Sequence, residues 1–425
     1  MEPERGFYND PVFVFDFASL YPTIIQSDNI CPMRLLYLDQ AHLLENDSLE
    51  IQYAPINSTE CIALVTRWKG EQVPVILPTI TDEVCQERKA IRKDMKGLDS
   101  CSFEYQSLNA KQLACKVFQN ALYGTLGVNV HPKFAIPVLM AVVCKIGQYM
   151  VRTVSHDFIS KYSAFCVYGD TDSVMVQLPG TSGMSHVELS EFGRNIESKV
   201  SCLFPSPHAL ELEKIYIRSI FFDKKMYAGL LLDRSIEVKG LAFKKRDKCR
   251  WVREIGYSTI TNILLENTSG LVHTIKAECQ RLVDNLVSLA DLTITRSLKV
   301  RSEYKSSSQI QLKTADKITR RTGRVVLPGS RVEYVIVQGG LRLCERGEPP
   351  EYLRNNPDMK VDKIYYIHNQ LNAAIVLLLQ FHVEEKRGIL EIIRDCDITI
   401  RNSELHIRPI VDFFAPSKKR NIDKI

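Results

Sequence analysis

The chain has 425 residues, 45% of them hydrophobic and 25% charged, with a net charge of +5, proportions that suit a globular protein of about two or three domains. No apolar run reaches the roughly 18 residues of a membrane span, and the opening MEPERGFYND carries no signal-peptide pattern, so membrane and secretory roles are not expected. The 12 cysteines include no C-x-x-C pair, which argues against a zinc ribbon or iron–sulfur site and fits reduced thiols in the cytosol or nucleus.

Val12 to Phe15 is a continuous apolar run too short for a helix and reads as a buried strand running into Asp16. A polar stretch punctuated by Pro32, Pro55, Pro74 and Pro78 is expected to be irregular as far as Ile80. The spacing predicts a charged helix over 81–96, opened by Thr81 with Asp82 and Glu83 in its first turn. After Gly97-Leu98-Asp99-Ser100, a second helix is predicted over 104–123, with Leu113, Val117, Phe118, Ala121 and Leu122 on an apolar flank. A short turn between two helices implies an antiparallel hairpin. A long buried helix is predicted over 135–162, a β-hairpin over 164–178 and further strands over 209–243. Past Trp251 the chain becomes helical and lysine-rich, which sets a domain boundary near 250. The last ten residues, Pro416 to Ile425, are polar and basic and are expected to be disordered.

The hairpin carries the most distinctive chemistry. Gly169-Asp170-Thr171-Asp172-Ser173 joins two apolar strands, Ala164 to Tyr168 and Val174 to Val176. Aspartates suit a tight turn, but here two carboxylates stand at the end of a buried sheet, where like charges repel unless a cation neutralises them. Asp16 ends another buried strand. If those strands are neighbours, Asp16 and Asp172 converge on a hard, oxygen-seeking cation such as Mg²⁺. Two such ions can stabilise the attacking and leaving oxygens of a phosphoryl transfer. On the second helix Lys116, Asn120 and Tyr123 recur at i, i+4 and i+7, and on the first Arg88 and Arg92 at i, i+4. Lys116 sits among Leu113, Ala114, Cys115, Val117 and Phe118, a setting in which a lysine snorkels or meets a phosphate.

Asp16-Phe17-Ala18-Ser19-Leu20-Tyr21-Pro22-Thr23-Ile24-Ile25 resembles the first polymerase motif of family B DNA polymerases. Lys116-Val117-Phe118-Gln119-Asn120-Ala121-Leu122-Tyr123-Gly124 resembles their second, and Tyr168-Gly169-Asp170-Thr171-Asp172-Ser173 their third. Lys224-Lys225-Met226-Tyr227 is similar to the family's Lys-Lys-x-Tyr primer-contact motif. The segments Gly329 to Ile336 and Tyr365 to Leu371 resemble stretches of its thumb, so the likeness spans nearly the whole chain in the family's order.

The resemblance implies an α+β right-hand polymerase with an antiparallel-sheet palm (1–80 and 129–250), helical-hairpin fingers (81–128) and a mainly helical thumb (251–415). It implies Asp16, Asp172 and the Phe17 carbonyl as ligands of two Mg²⁺ ions, with Mn²⁺ as a substitute and Asp170 beside them. Arg88, Arg92, Lys116, Asn120 and the backbone at Ser19 and Leu20 would hold a deoxynucleoside triphosphate, and Lys116 could protonate the leaving group. Tyr21 would lie under the deoxyribose, where a ribose 2′-hydroxyl collides with it. Primer–template DNA would meet Lys224, Lys225, Tyr227, Lys244, Lys245 and Arg246. Seven Lys/Arg against one acid in 239–253, and six against one in 313–331, fit tracking of duplex phosphates, with a charged solvated face as the alternative for the second run.

Two departures from the family pattern stand out. Ala121 replaces the usual serine of the second motif, so activity is expected to persist with altered nucleotide selection. The chain opens just before the first motif, so the family's N-terminal and 3′→5′ exonuclease regions are expected to be missing, and the exonuclease half becomes an expected partner. The missing paired cysteine modules point to a viral enzyme acting in the nucleus or a viral replication compartment. Ile410, Phe413 and Phe414, followed by Lys418-Lys419-Arg420, have the spacing of a peptide that plugs into a sliding clamp or other processivity factor; packing on the thumb is the alternative. Rival readings are an inactive polymerase-like subunit, opposed by the three aspartates; a non-catalytic nucleic-acid-binding module, which leaves the buried turn carboxylates unexplained; and an RNA polymerase, opposed by Tyr21.

Overall fold

The computed structural model describes residues 1–36, 48–127, 136–339 and 342–406; the basic tail, with Ile410, Phe413 and Phe414, lies outside them. The chain divides into two compact units. One comprises Met1–Glu4, Tyr8–Arg218 and Leu231–Asp233, the other Arg5–Phe7, Ser219–Leu230 and Arg234 onward. The class is α+β, with antiparallel sheets and helices throughout.

After β1 (Gly6–Tyr8), most of which belongs to the second unit, the first unit continues with β2 (Val12–Phe17), whose Val12 to Phe15 are completely buried. Ser19 then adopts a left-handed backbone (φ 57°, ψ 53°) that turns the chain sharply into α1 (Leu20–Ser27). The stretch expected to be irregular contains this helix and a small antiparallel sheet, β3 (Leu35–Leu36), β4 (Leu49–Pro55), β5 (Cys61–Trp68) and β6 (Glu71–Gln72), paired in the order β3-β5-β4 with β6 also on β5. Next comes a helical hairpin, α2 (Ile76–Asp94) and α3 (Phe103–Gly127). The first helix starts five residues earlier than the sequence suggests. Pro78 is tolerated in the first turn, where the N–H it lacks would have no partner, and Thr81 is a buried helical residue whose hydroxyl bonds to Leu77 O at 2.7 Å.

Helix α4 (Pro137–Tyr162) leads into β7 (Phe165–Asp170), β8 (Ser173–Gln177), α5 (His186–Ser201) and β9 (Leu210–Asp223). Within this unit the strand order is β7-β8-β2-β9, all antiparallel. By length and composition α4 could cross a membrane, but Leu139, Val142, Val154 and Phe158 pack into the core under Phe13 and Phe15, with the Phe15 and Phe158 rings 4.9 Å apart.

In the second unit the end of β9 is joined by β10 (Met226–Leu231) and β11 (Ile236–Lys239). Then follow α6 (Arg250–Leu264), α7 (Leu271–Val283), β12 (Ile294–Ser297), α8 (Ile310–Thr322), β13 (Arg331–Ile336), β14 (Gly347–Glu348) and α9 (Val383–His406). Its core is built on Trp251, Ile255, Ile263, Ile275 and Ile393. A three-stranded sheet β12-β13-β14 interrupts the helices.

Candidate active site

In the first unit, β2 is the central strand that organises the site. Asp16 faces Ser173 of β8 on one side and Glu211 of β9 on the other. The next amide, Phe17 N, donates to Asp172 O at 3.0 Å, so the β7–β8 turn is fastened beside Asp16. The turn is tight: Asp172 N donates to Asp170 O at 2.6 Å and the Ser173 hydroxyl to Asp170 O at 3.2 Å. Thr171 between the aspartates holds φ 56°, a costly conformation for a β-branched residue and one that clusters at functional sites.

Burial raises the Asp16 carboxyl to about 7, helped by the neighbouring charge of Asp172 and then of Glu213, with Lys214 opposing. The pair therefore repels, and a cation between the carboxylates removes the repulsion. Among the described residues no group of three or more His, Cys, Asp or Glu forms a closed metal cage. Two carboxylates with nearby backbone carbonyls are the donor set of a hard cation that shares its shell with substrate oxygens and water, so the residues fit the magnesium the family motifs imply.

Glu211, Glu213 and Lys214 escaped the sequence reading. Val14 pairs with Lys214 while Phe15 pairs with Leu212, leaving Glu213 as the extra residue of a β-bulge; bulges re-aim side chains beside active sites. The alternation Leu210-Glu211-Leu212-Glu213 was the available signal.

Ser19, Leu20 and Tyr21 open α1, whose first-turn N–H groups have no intrahelical acceptor and suit an anion. The Tyr21 ring stacks on Tyr123 of α3 with centroids 4.4 Å apart and planes at 22°. Burial raises the Tyr21 phenol to about 12, with Cys144 and Asp172 adding to the shift. Tyr123 O–H and Cys144 Sγ are 3.0 Å apart.

Arg88 and Arg92 on α2, and Lys116 and Asn120 on α3, share the helical hairpin. Arg88 is half-buried, its Nε bonds to Gln112 Oε1 at 3.4 Å, and burial and then the like charge of Arg92 hold it below its usual value. Arg92, Lys116 and Asn120 are exposed. The expected apolar flank around Lys116 is also exposed: Leu113 and Phe118 are each 47% accessible and Val117 67%. Instead α3 packs through Gln119, 3% exposed, whose amide donates to Cys85 Sγ at 2.8 Å. Lys116 thus stands in solvent instead of snorkelling through a core.

In the second unit Lys224 and Lys225 form the exposed β9–β10 turn, with Lys225 at φ 56°. Gly240 is required there: a Cβ on it would lie 1.9 Å from Lys225 O. Tyr227 is 7% exposed and stacked on Phe221 at 5.2 Å, so its ring is turned inward. Lys244, Lys245 and Arg246 are exposed, whereas Lys248 is half-buried and donates to the Asn369 and Gln370 carbonyls at 3.1 and 3.3 Å. In the basic run 313–331, Lys313 and Lys317 are half-buried and the four arginines are exposed, but several are tied to the protein itself. Lys317 and Arg321 bind buried Glu348 at 2.5 and 2.6 Å, and Arg331 donates to Thr295 O at 2.6 Å.

A sequence profile described as DNA polymerase family B matches residues 1–381. The DNA polymerase delta catalytic subunit of Candida albicans is 32% identical over 395 residues, covering 88% of this chain and 36% of that protein. The Arabidopsis thaliana subunit of the same name is 30% identical over 399 residues, covering 89% and 35%. A solved family B DNA polymerase from the archaeon Pyrobaculum calidifontis superposes with a TM-score of 0.61 at 27% identity, over 89% of this chain and 46% of that one. The chain spans about a third of the length of these curated relatives. With its motifs in order on a matching fold, the chain belongs to DNA polymerase family B.

Proposed function

We propose that this chain is the polymerising region of a DNA-directed DNA polymerase: palm at 1–80 and 129–250, fingers at 81–128, thumb at 251–415. It extends a primer by template-directed addition of deoxynucleoside monophosphates. The observation that carries this reading is the fastening of the Asp172 turn to β2 beside Asp16, with Tyr21 at the same place. Two magnesium ions, held by Asp16, Asp172 and the Phe17 carbonyl with Asp170 alongside, would neutralise charge on the triphosphate and on the attacking and leaving oxygens.

The protein's own residues do the rest. Arg88, Arg92, Lys116 and Asn120, with the first amides of α1, grip the triphosphate and align its α-phosphorus with the primer 3′-hydroxyl. The 3′-hydroxyl gives up its proton to solvent as its oxygen bonds to the α-phosphorus, the bond from that phosphorus to the bridging oxygen breaks, and pyrophosphate leaves with a proton that Lys116 can supply. The Tyr21 ring occupies the space a ribose 2′-hydroxyl needs. Lys224, Lys225, Lys244, Lys245 and Arg246 bind the phosphate backbone of the primer–template without reading sequence, and Tyr227 braces the Lys224–Lys225 turn from within. A nuclear setting fits this role, with a processivity factor and an exonuclease-bearing region as partners.

Primer extension by the purified chain in Mg²⁺, beside Asp172→Asn, tests the reading. The wild type is expected to add deoxynucleotides and the variant to add none while still binding primer–template. A wild type that binds DNA without extending it, or an Asp172→Asn that extends normally, overturns it.

A further inference from the structure

The gate tyrosine is held in a slot that three elements build. Tyr21 lies at the start of α1, Tyr123 closes one face of its ring from α3, and α4 forms the wall. On that wall Cys144 and Gly147 are one helical turn apart. A Cβ on Gly147 would come 3.5 Å from Tyr21 Cε1 and 3.3 Å from Leu20 Cδ2, so the bare glycine lets the ring lie against the helix backbone. Cys144 Sγ meets the Tyr123 hydroxyl at 3.0 Å. Tyr21, Cys144, Gln148, Arg152, Gly169 and Thr171 line one open cavity of about 470 Å³ beside the aspartate turn. The thiol therefore reaches the space next to the gate and is not sealed in the core.

We propose that Cys144 is a positioning residue for sugar selection: by engaging the Tyr123 hydroxyl it fixes the ring on which Tyr21 stacks, and so sets how far Tyr21 reaches under the incoming sugar. This rests on the reading of Tyr21 as the gate. The physical reason is steepness. Rejection by collision changes sharply over a few tenths of an ångström, whereas a ring stack alone tolerates such sliding. A hydrogen bond to the supporting ring removes that freedom, and the bound geometry is then kept by α4, which the core holds. A cysteine that merely fills space would act through packing, so serine would not restore what alanine loses.

The test compares kcat/KM for a deoxynucleotide against its ribonucleotide in the wild type, Tyr21→Ala, Cys144→Ala, Cys144→Ser and Tyr123→Phe. Cys144→Ala is expected to lower the ratio by about three- to tenfold, the worth of one hydrogen bond, and Tyr123→Phe by a similar amount. The double variant should fall short of the product of the two single losses, because both remove the Cys144–Tyr123 bond while Cys144→Ala also removes the thiol's own contact with Tyr21. Cys144→Ser, which keeps a partner for the phenol, should restore most of the ratio at unchanged Tm. In parallel, ¹⁹F NMR of fluorotyrosine at position 21 should broaden or shift in Cys144→Ala and return in Cys144→Ser, a readout that needs no turnover. If Tyr21→Ala collapses the ratio while Cys144→Ala leaves both ratio and fluorine signal unchanged, the inference falls and the gate stands. If Tyr21→Ala itself leaves the ratio unchanged, the gate reading falls and this inference with it. A loss in Cys144→Ala that serine does not repair, accompanied by a lower Tm, makes the cysteine a packing residue and also overturns it.

Discussion

The two units each hold an acid withdrawn from water, Glu348 buried and Asp16 half-buried, and they treat them in opposite ways. In the second unit Glu348 is 4% exposed, yet each carboxylate oxygen has a cation, Lys317 at 2.5 Å and Arg321 at 2.6 Å, and the Arg321 guanidinium also lies 3.6 Å over the Tyr352 ring. In the first unit Asp16 is driven up to about 7 by burial and by the acids around it, with Lys214 only partly opposing. One acid is neutralised by the protein's own side chains; the other is left in a surplus of negative charge. Both regions are rich in charged residues, and only the geometry separates a clasp from a site. A carboxylate the fold itself balances is structural, and one the fold leaves unbalanced is waiting for something.

The contrast can be broken most forcefully at its poles. Asp172→Asn should cut nucleotide incorporation by roughly a thousandfold or more while leaving the urea midpoint equal or higher, since it relieves repulsion. Rapid-quench extension and urea unfolding read the two halves, and a destabilised variant would put Asp172 in the structural class. Glu348→Ala should do the reverse. Leaving Lys317 and Arg321 unpaired should cost about 3 kcal/mol, measured by urea unfolding; a loss below that of an ordinary surface mutation would show that the clasp is idle.

The same distinction applies to the bases. Lys224→Ala with Lys225→Ala should weaken primer–template binding and reduce the slope of log affinity against log salt by about one to two units. Lys317→Met should leave that slope alone. Equal slopes for both would erase the division between exposed and clasped lysines.

The smallest effect concerns His208, whose ring nitrogens meet Ser27 Oγ at 2.9 Å and Thr23 Oγ1 at 3.1 Å on α1. Burial lowers its pKa below 6.5. The unfolded chain therefore binds the proton more readily, and stability should fall as pH drops through 6.5 and below. A His208→Gln variant should show a flatter Tm profile between pH 7 and 5; an unchanged profile would assign the acid sensitivity elsewhere.

What could be read from the amino-acid string was chemistry carried by local pattern. Val12 to Phe15 announced a buried strand, and Gly169 to Ser173 a turn with two acids; their adjacency was only a condition until the pairing of β2 with β8 supplied it. The small sheet β3 to β6 stayed hidden because β4 alternates irregularly between covered and exposed positions. Pro78 concealed the true start of α2. Leu113, Val117 and Phe118 suggested a covered flank because periodicity reports spacing and not what lies opposite. Lys317 and Arg321 read as phosphate ligands because their partner Glu348 lies 31 and 27 residues downstream. The support of Tyr21 was equally illegible, since Cys144 carries no pattern that sets it apart from the other cysteines.

The strand order of the first unit has a consequence for how the protein is made. β2 is synthesised long before its partners, since both its neighbours, β8 and β9, begin more than 150 residues after it. Until then its Val-Phe-Val-Phe run has no partner, and α4 also emerges before β7 and β8. Such non-local closure is slow and leaves sticky intermediates. A chain interrupted before β8 therefore carries an unmet strand, and Asp16 and Asp172 come together only when β8 closes on β2.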